Sequence, residues 1–383
     1  MRPTRAEIQL EAVARNVATA NRLAGTAVQV MAVVKADAYG HGAVPVAMVA
    51  LEAGATWLGV ACPEEAAPLR DVGIRAPILV LGPVRPEQAE VAVRLDLDQC
   101  VSDPAQAESL AKEAAKVQRQ ARIHLKVDTG MGRVGVSSRE ARRAAEHLAR
   151  FAALKLVGLM THFADAEAED LSFAQEQLRQ FTQAAETLKA AGMSPLIRHA
   201  ANSAALLRLP ESRFDLVRPG IMLYGCHPRG REAAGDPPLA PAMRLCTEVS
   251  QLKDVARGAT VSYGRTFVAP ADIRVATLPV GYADGVGRLL SSRGEVLLRG
   301  KRVPIIGRVC MDMLMLDVTA VPEARVGDEA VLMGRQGAAE ITADEFAAWQ
   351  GTISYEVLCR IGPRVPRVYM GPGSTGSVAE ETR

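Results

Sequence analysis

Along the first 230 residues, short apolar runs alternate with longer stretches in which apolar positions recur at helical spacing. The runs at 28–34, 57–61, 78–81, 99–101, 122–127, 155–160, 196–199 and 215–217 are largely apolar on both faces. That is the pattern of parallel strands buried under helices. The intervening stretches, such as 104–117, 139–150 and 170–191, are rich in Ala, Glu, Arg and Gln and read as helices. Eight strands with eight helical segments match a closed (β/α)8 barrel, although an open doubly wound sheet shares the periodicity. At the start, Ala6, Ile8 and Leu10 alternate with Arg5, Glu7 and Gln9, which predicts a strand and then a helix from about Glu11. A helix beginning at Thr4, with Glu7 completing a capping box, competes with it.

After Gly230 the pattern changes. Residues 232–241 form a linker rich in Ala, Pro and Gly, and β-type runs follow at 246–255, 273–278, 295–298, 303–306, 313–318 and 329–333. Only 343–350 looks helical, with Thr342 and Glu345 placed as a capping box. The expected fold is therefore α/β, an N-terminal (β/α)8 barrel over 11–235 followed by a predominantly β domain over 236–370. The Gly/Ser/Glu-rich stretch 371–383 reads as a disordered tail.

Lys and Arg total 45 against 43 Asp and Glu, and the net +2 is spread along the chain. That balance argues against a nucleic-acid or membrane-surface binder working through a basic field. No apolar run reaches the roughly 18 residues of a membrane span, and the N-terminus lacks the apolar core of a signal peptide. The six Cys are scattered with no C-x-x-C pair, which reads as reduced thiols and a cytoplasmic protein. Aromatic residues are only 4% of the chain, so each of the six Tyr lying among Gly and polar residues draws attention.

The first chemical candidate is Lys35, at the C-terminal end of the first barrel strand, the end where barrel active sites lie. An apolar wall disfavours its ammonium form, and the free amine can form a Schiff base with an aldehyde; a snorkelling surface lysine is the plainer reading. Tyr39, four residues on, shares its face if a helical turn begins there. The second candidate is the loop 126–135, in which Gly130, Gly132 and Gly135 spell G-x-G-x-x-G. The acid expected about 20 positions later in a dinucleotide site is missing, and Arg133 reads better as an anion contact. Ser203, Gly220 and Ile221 follow the seventh and eighth strands, where barrels commonly hold phosphate. His41, His162 and His199 lack metal-ligand spacing, so no metal is expected. In the β half, Tyr263, Tyr282 and Tyr355 each sit beside Ser or Gly.

Together AVVKADAYGHG (32–42), ANSAA (201–205), RPGIMLYG (218–225), VSYGRTF (261–267) and GRVCMDM (307–313) resemble the alanine racemase family, in the family's order. The resemblance covers the chain from Arg2 to about Tyr369. It implies a pyridoxal 5'-phosphate enzyme that interconverts L- and D-alanine and supplies D-alanine for peptidoglycan. It makes Lys35 the cofactor-bonding lysine and the base for the D-enantiomer. Tyr263, from the partner subunit of a homodimer, becomes the base for the L-enantiomer. Tyr39, Ser203, Gly220, Ile221 and Tyr355 would hold the phosphate. Arg218 would face the ring nitrogen, backing His162 beside the catalytic Tyr, with His199 in the same network. Arg133 would contact the cofactor phenolate and the substrate carboxylate, helped by the partner's Met311. Lys126 matches a lysine often carbamylated to position Arg133. Tyr282 and Tyr355 would narrow the entry, and Asp312 would support the site. The resemblance also implies that the N-terminal strand, residues 1–10, belongs with the β domain. The competing readings are a racemase of broader specificity, a non-catalytic ligand-binding regulator and a nicotinamide enzyme.

Overall fold

In the computed structural model, which describes residues 2–193 and 196–371, eight parallel strands succeed one another around a ring. They are Gln29–Val33, Trp57–Val60, Ile78–Val80, Asp98–Val101, Ala121–Asp128, Leu154–Met160, Ile197–His199 and Leu216–Val217. The eighth pairs with the first, Leu216 opposite Gln29 and Val217 opposite Val30. The seventh and eighth are joined by Asp215 N donating to Arg198 O (3.1 Å) and Arg218 N to Ala201 O (2.9 Å). The sheet is thus a barrel, and the open doubly wound alternative falls away. The expected tail lies, beyond Gly371, outside the described residues.

The two-residue period of the strands divides their side chains between two environments. Val30, Ala32, Leu58, Ile78, Val80, Ile123, Leu125 and Leu159 pack outward under the helices in the main core. Met31, Trp57, Leu79, Cys100, Met160 and Leu216 form a separate apolar cluster inside the barrel. Barrel interiors are usually filled by branched apolar layers, yet this one also encloses Asp98, His124 and His199, all fully buried. Helix starts follow local capping chemistry. Asp103 accepts from Ala105 N (2.8 Å) at the head of Pro104–Lys116, and Asn202 accepts from Ala205 N (2.9 Å) at Ser203–Arg208.

The second sheet runs in the order Gln251–Val255, Ile273–Leu278, Leu314–Asp317, Lys301–Ile306, Glu295–Leu298, Glu329–Gln336, Met243–Glu248, Arg5–Gln9 and Arg367–Met370. Arg5–Gln9 pairs antiparallel with Met243–Glu248 and parallel with Arg367–Met370. The single strand expected over 246–255 is two strands, because the chain changes partner. Val249 N donates to Asp328 O and Ser250 N to Thr277 O, both at 2.9 Å. Ala343–Gln350 is helical and capped by Thr342, but Glu345 turns to Arg302 (2.6 Å). A second helix, Ser354–Arg360, was not expected; it carries Tyr355. Among the described residues, no helix is long and apolar enough to cross a membrane.

Candidate active site

Buried Val33 ends the first strand, and the chain passes through buried Val34 into Lys35–Gly40. Ala36, Asp37, Ala38 and Tyr39 all have φ between 52° and 54°, so this turn is left-handed. Such a conformation costs L-residues roughly 1–2 kcal/mol each, and the surroundings hold it. Ala36 N donates to Glu65 Oε1 (2.8 Å), Ala43 N to Asp37 Oδ1 (2.6 Å) and Gly42 N to Asp37 O (2.9 Å). His41 Nδ1 lies 3.0 Å from both the Ala38 and Tyr39 carbonyls and donates to them, clasping the end of the turn. At Gly40 a Cβ would lie 2.5 Å from Leu358 O, so only glycine admits the helix behind it. Lys35 and Tyr39 emerge into one cavity, as the sequence suggested, although the helical sense is opposite to the usual one.

Behind Tyr39 stands Tyr224, fully buried, its ring 4.8 Å from Tyr39 and 4.6 Å from His41 between centroids. Its hydroxyl donates to Val33 O (2.8 Å), fixing the strand end that presents Lys35. Sequence reasoning missed this residue, because a Tyr after an apolar Ile-Met-Leu run looks like ordinary core.

The cavity, about 1290 Å³, opens at the C-terminal end of the barrel strands. It is lined by Lys35, Tyr39, Lys126, Arg133, His162, Ser203, Arg218, Gly220, Ile221 and Tyr355. Burial pushes the Lys35 amine below its ordinary range, and the Arg133 cation pushes the same way. Burial lowers Lys126 to about 8, with Arg218 and Arg133 adding to the effect. Arg218, buried, falls to about 10 and stays cationic at neutral pH. Burial and the Arg218 charge hold His162 well below its usual value, so its imidazole is neutral. The Tyr39 and Tyr355 phenols are pushed up by burial and remain donors.

Three cationic side chains, Lys126, Arg133 and Arg218, and several hydroxyl donors suit an anion, and the Lys35 amine, which burial pushes toward its free form, suits an aldehyde, so these residues fit a phosphorylated aldehyde such as pyridoxal 5'-phosphate. The cradle is tight. A Cβ on Gly220 would lie 2.6 Å from Tyr39 Oη, and Gly220 N donates to Ser203 Oγ (2.8 Å), tying together the loops after the seventh and eighth strands. The glycine loop at 130–135 is organised differently from a dinucleotide site. Asp128 accepts from the amides of Gly130 (2.9 Å), Met131 (2.8 Å) and Gly132 (2.9 Å), so these donors already have an anion. That removes the main support for a nicotinamide enzyme.

Arg218 is held from several sides. It donates to Thr161 O (2.7 Å), Ala200 O (3.0 Å) and His199 Nδ1 (3.0 Å), with a longer contact to His162 Nδ1 (3.4 Å). His199 lies beneath it, fully buried. Tyr263, Tyr282, Met311 and Asp312 lie elsewhere, on the surface of the β domain. Tyr263 is 73% exposed, Met311 52% and Tyr282 43%, and none lines the Lys35 cavity. Their loops are bonded to one another: Tyr282 N donates to Cys310 O (3.0 Å), Ala283 N to Met311 O (3.0 Å) and Ser262 Oγ to Arg308 O (2.7 Å). Asp312 accepts from Arg364 (2.7 Å).

The family model for the alanine racemase N-terminal domain matches residues 8–228, and that for the alanine racemase C-terminal domain matches residues 242–369. The chain is 46% identical over 368 residues to the alanine racemase of Halothermothrix orenii, covering 96% of this chain and 97% of that protein. It is 48% identical to that of Symbiobacterium thermophilum, covering 97% and 98%. Among solved structures, the alanine racemase of Bacillus anthracis with bound L-Ala-P superposes with a TM-score of 0.90 at 39% identity, covering 99% of this chain and 97% of that one.

Proposed function

The chain belongs to the alanine racemase family, and from that premise we propose that it interconverts L- and D-alanine by a two-base mechanism, with pyridoxal 5'-phosphate bound in the Lys35 cavity and Tyr263 supplied by the partner subunit of a homodimer. The observation that carries this reading is the separation of the two bases. Lys35 offers an amine whose pKa burial lowers, inside a cation-lined cavity, while the Tyr263 phenol stands exposed outside that cavity.

Racemisation needs a proton removed from one face of a planar carbon and returned to the other, so one base per face is the simplest arrangement. Lys35 serves one face because burial favours its free amine. The partner's Tyr263 serves the other, next to His162. The Nδ1 of that His162 lies 3.4 Å from Arg218 Nη2. The cofactor, when bound, supplies an electron sink for the pair left by the departing α-proton. Tyr39, Ser203, Gly220, Ile221 and Tyr355 would hold its phosphate. Arg133 makes no hydrogen bond to the protein among the described residues, which leaves its guanidinium for the substrate carboxylate and the cofactor hydroxyl. Lys126 would position Arg133 as its carbamate, and the backbone of the partner's Met311 would share the carboxylate. Tyr282 and Tyr355 would narrow the entry, with Asp312 as support.

We divide the chain into the barrel, 11–235, and the β domain, 236–370, to which the N-terminal segment 1–10 belongs through its strand Arg5–Gln9. The role proposed is supply of D-alanine for peptidoglycan from the cytoplasm, which the six unpaired cysteines support. The purified protein is expected to convert L-alanine to D-alanine and to lose activity when hydroxylamine strips the cofactor. Lys35→Ala is expected to lose the bound chromophore, and Tyr263→Phe to lose L-to-D turnover; full L-to-D activity in Tyr263→Phe would refute the two-base assignment. Bound cofactor without solvent-deuterium exchange at the alanine α-carbon would favour a ligand-binding regulator, and equal turnover of serine and lysine a broader racemase.

A further inference from the structure

Inside the barrel, a file of polar side chains runs from the cavity floor to the opposite end of the strands. Arg218 Nη1 contacts His199 Nδ1 (3.0 Å), His199 Nε2 contacts His124 Nδ1 (2.8 Å), and His124 Nε2 contacts Asp98 Oδ2 (3.3 Å). Arg122, near the start of its strand, donates from Nε to the other oxygen, Asp98 Oδ1 (2.8 Å). His124 stands edge-on to both His199 and Trp57. Its strand partner is Gly158, where a Cβ would lie 2.0 Å from His124 Nδ1, so the opposite strand gives up a side chain to admit the imidazole.

The direction of every bond follows from the two ends. A guanidinium has donors only, so His199 Nδ1 must accept, and its single proton lies on Nε2. That proton is donated to His124 Nδ1, which places the His124 proton on Nε2, aimed at the Asp98 carboxylate. A second proton on either ring would set donor against donor. Burial, Arg218 and His124 also hold His199 well below the usual imidazole range.

We propose that Asp98 and His124 are positioning residues for the racemase reaction, orienting Arg218 beneath the cofactor site through His199. Among the described residues, no carboxylate touches Arg218; its acceptors are two carbonyls and two neutral imidazoles. A carboxylate in direct contact would cancel the guanidinium charge where the cavity needs it. Placed two imidazoles away, Asp98 polarises the file and strengthens the acceptor at His199 Nδ1 while leaving the charge at the cavity. An apolar layer would fill the same space without desolvating three polar groups, so an outlay of this kind fits a part in the chemistry better than one in packing alone.

The proposal rests on the racemase reading for its kinetics, but its spectroscopic arm does not. Long-range 1H–15N spectra of histidine-labelled holoenzyme are expected to show His199 and His124 neutral with the proton on Nε2. Asp98→Asn, whose amide can donate or accept, is expected to change the His199 ring signals two bonds away in the file. It should lower kcat by about tenfold, the usual effect of losing an outer partner, while KM for alanine moves by less than about twofold. Because Asp98 acts through His124, Asp98→Asn combined with His124→Leu should be no slower than His124→Leu alone. An Nδ1–H or doubly protonated ring in the wild type overturns the proposal. So does an Asp98→Asn enzyme with unchanged kcat and His199 signals, or additive losses in the double variant. Should His124→Leu fail to fold, the wild-type spectra and Asp98→Asn decide. Wild-type protein without racemase activity would refute the function proposed above and leave the tautomer order to be judged by the spectra.

Discussion

Lys126 is buried in a barrel already holding Arg218 and Arg133, and burial lowers its amine to about 8. An unfolded lysine titrates near 10.4. Between about 8 and that value the unfolded chain binds more protons than the folded one, so this group's contribution to stability rises with pH across the window. Below about 8 its penalty is fully present, at most about 3 kcal/mol. In bicarbonate-free buffer, Lys126→Met should therefore raise the urea midpoint at pH 7, and the gain should shrink by pH 10. A pKa lowered to about 8 also leaves a larger free-amine fraction near neutral pH than an ordinary lysine has, and that fraction is open to carbon dioxide. A carbamate resonance from 13C-bicarbonate, present in the wild type and absent in Lys126→Met, would show it. Gly158 makes the complementary steric case: Gly158→Ala puts a methyl group into the His124 ring and should cost about 1–3 kcal/mol in urea unfolding. Lys35, Tyr39, Arg133 and Arg218 stood out in the sequence because each ends a strand or sits in a loop at the functional end of a barrel. Asp98 and His124 did not, because within a strand their alternation looks like that of any polar residue, and only closure of the barrel turns them inward.

At the level of elements, the eight barrel strands were readable because each is a short apolar run between helical patterns. The handedness of the turn after the first strand was not. No intrinsic preference of Ala36, Ala38 or Tyr39 favours positive φ; besides the local bonds of Asp37 and His41, the conformation is held by groups distant in sequence, Glu65 from Pro63–Asp71 and the backbone of Ser354–Arg360. Ser354–Arg360 escaped notice for a related reason, since it is only seven residues long and its Tyr, Val and Cys are indifferent helix formers. Glu65 makes the dependence testable, because its two oxygens accept from Ala36 N (2.8 Å) and Ala61 N (2.7 Å). Glu65→Ala leaves both amides without their acceptor and should cost about 2 kcal/mol. The variant should melt earlier and release its cofactor faster on dialysis, since Lys35 and Tyr39 both ride on the turn.

For the whole molecule, the ends of the chain are joined across the second sheet. Arg5–Gln9 lies between Met243–Glu248 and Arg367–Met370, so the first helix of the barrel starts directly from a strand of the β domain. That fixes the exposed loops of Tyr263, Tyr282 and Met311 relative to the barrel, on a surface that Leu289 and Met313 extend with further exposed apolar side chains. A patch of this kind is suited to meeting the cavity of another copy, as the proposed two-base mechanism requires. The arrangement has a numerical consequence under a two-fold interface. Suppose each site takes Lys35 from one subunit and Tyr263 from the other. Mixing the inactive Lys35→Ala and Tyr263→Phe proteins then creates, in each mixed dimer, one site with both bases and one with neither. With equal amounts and free exchange, half the dimers are mixed, so activity should return to about a quarter of the wild-type value. Sites built within single chains would give no recovery. A racemase assay after subunit exchange in dilute denaturant distinguishes the two.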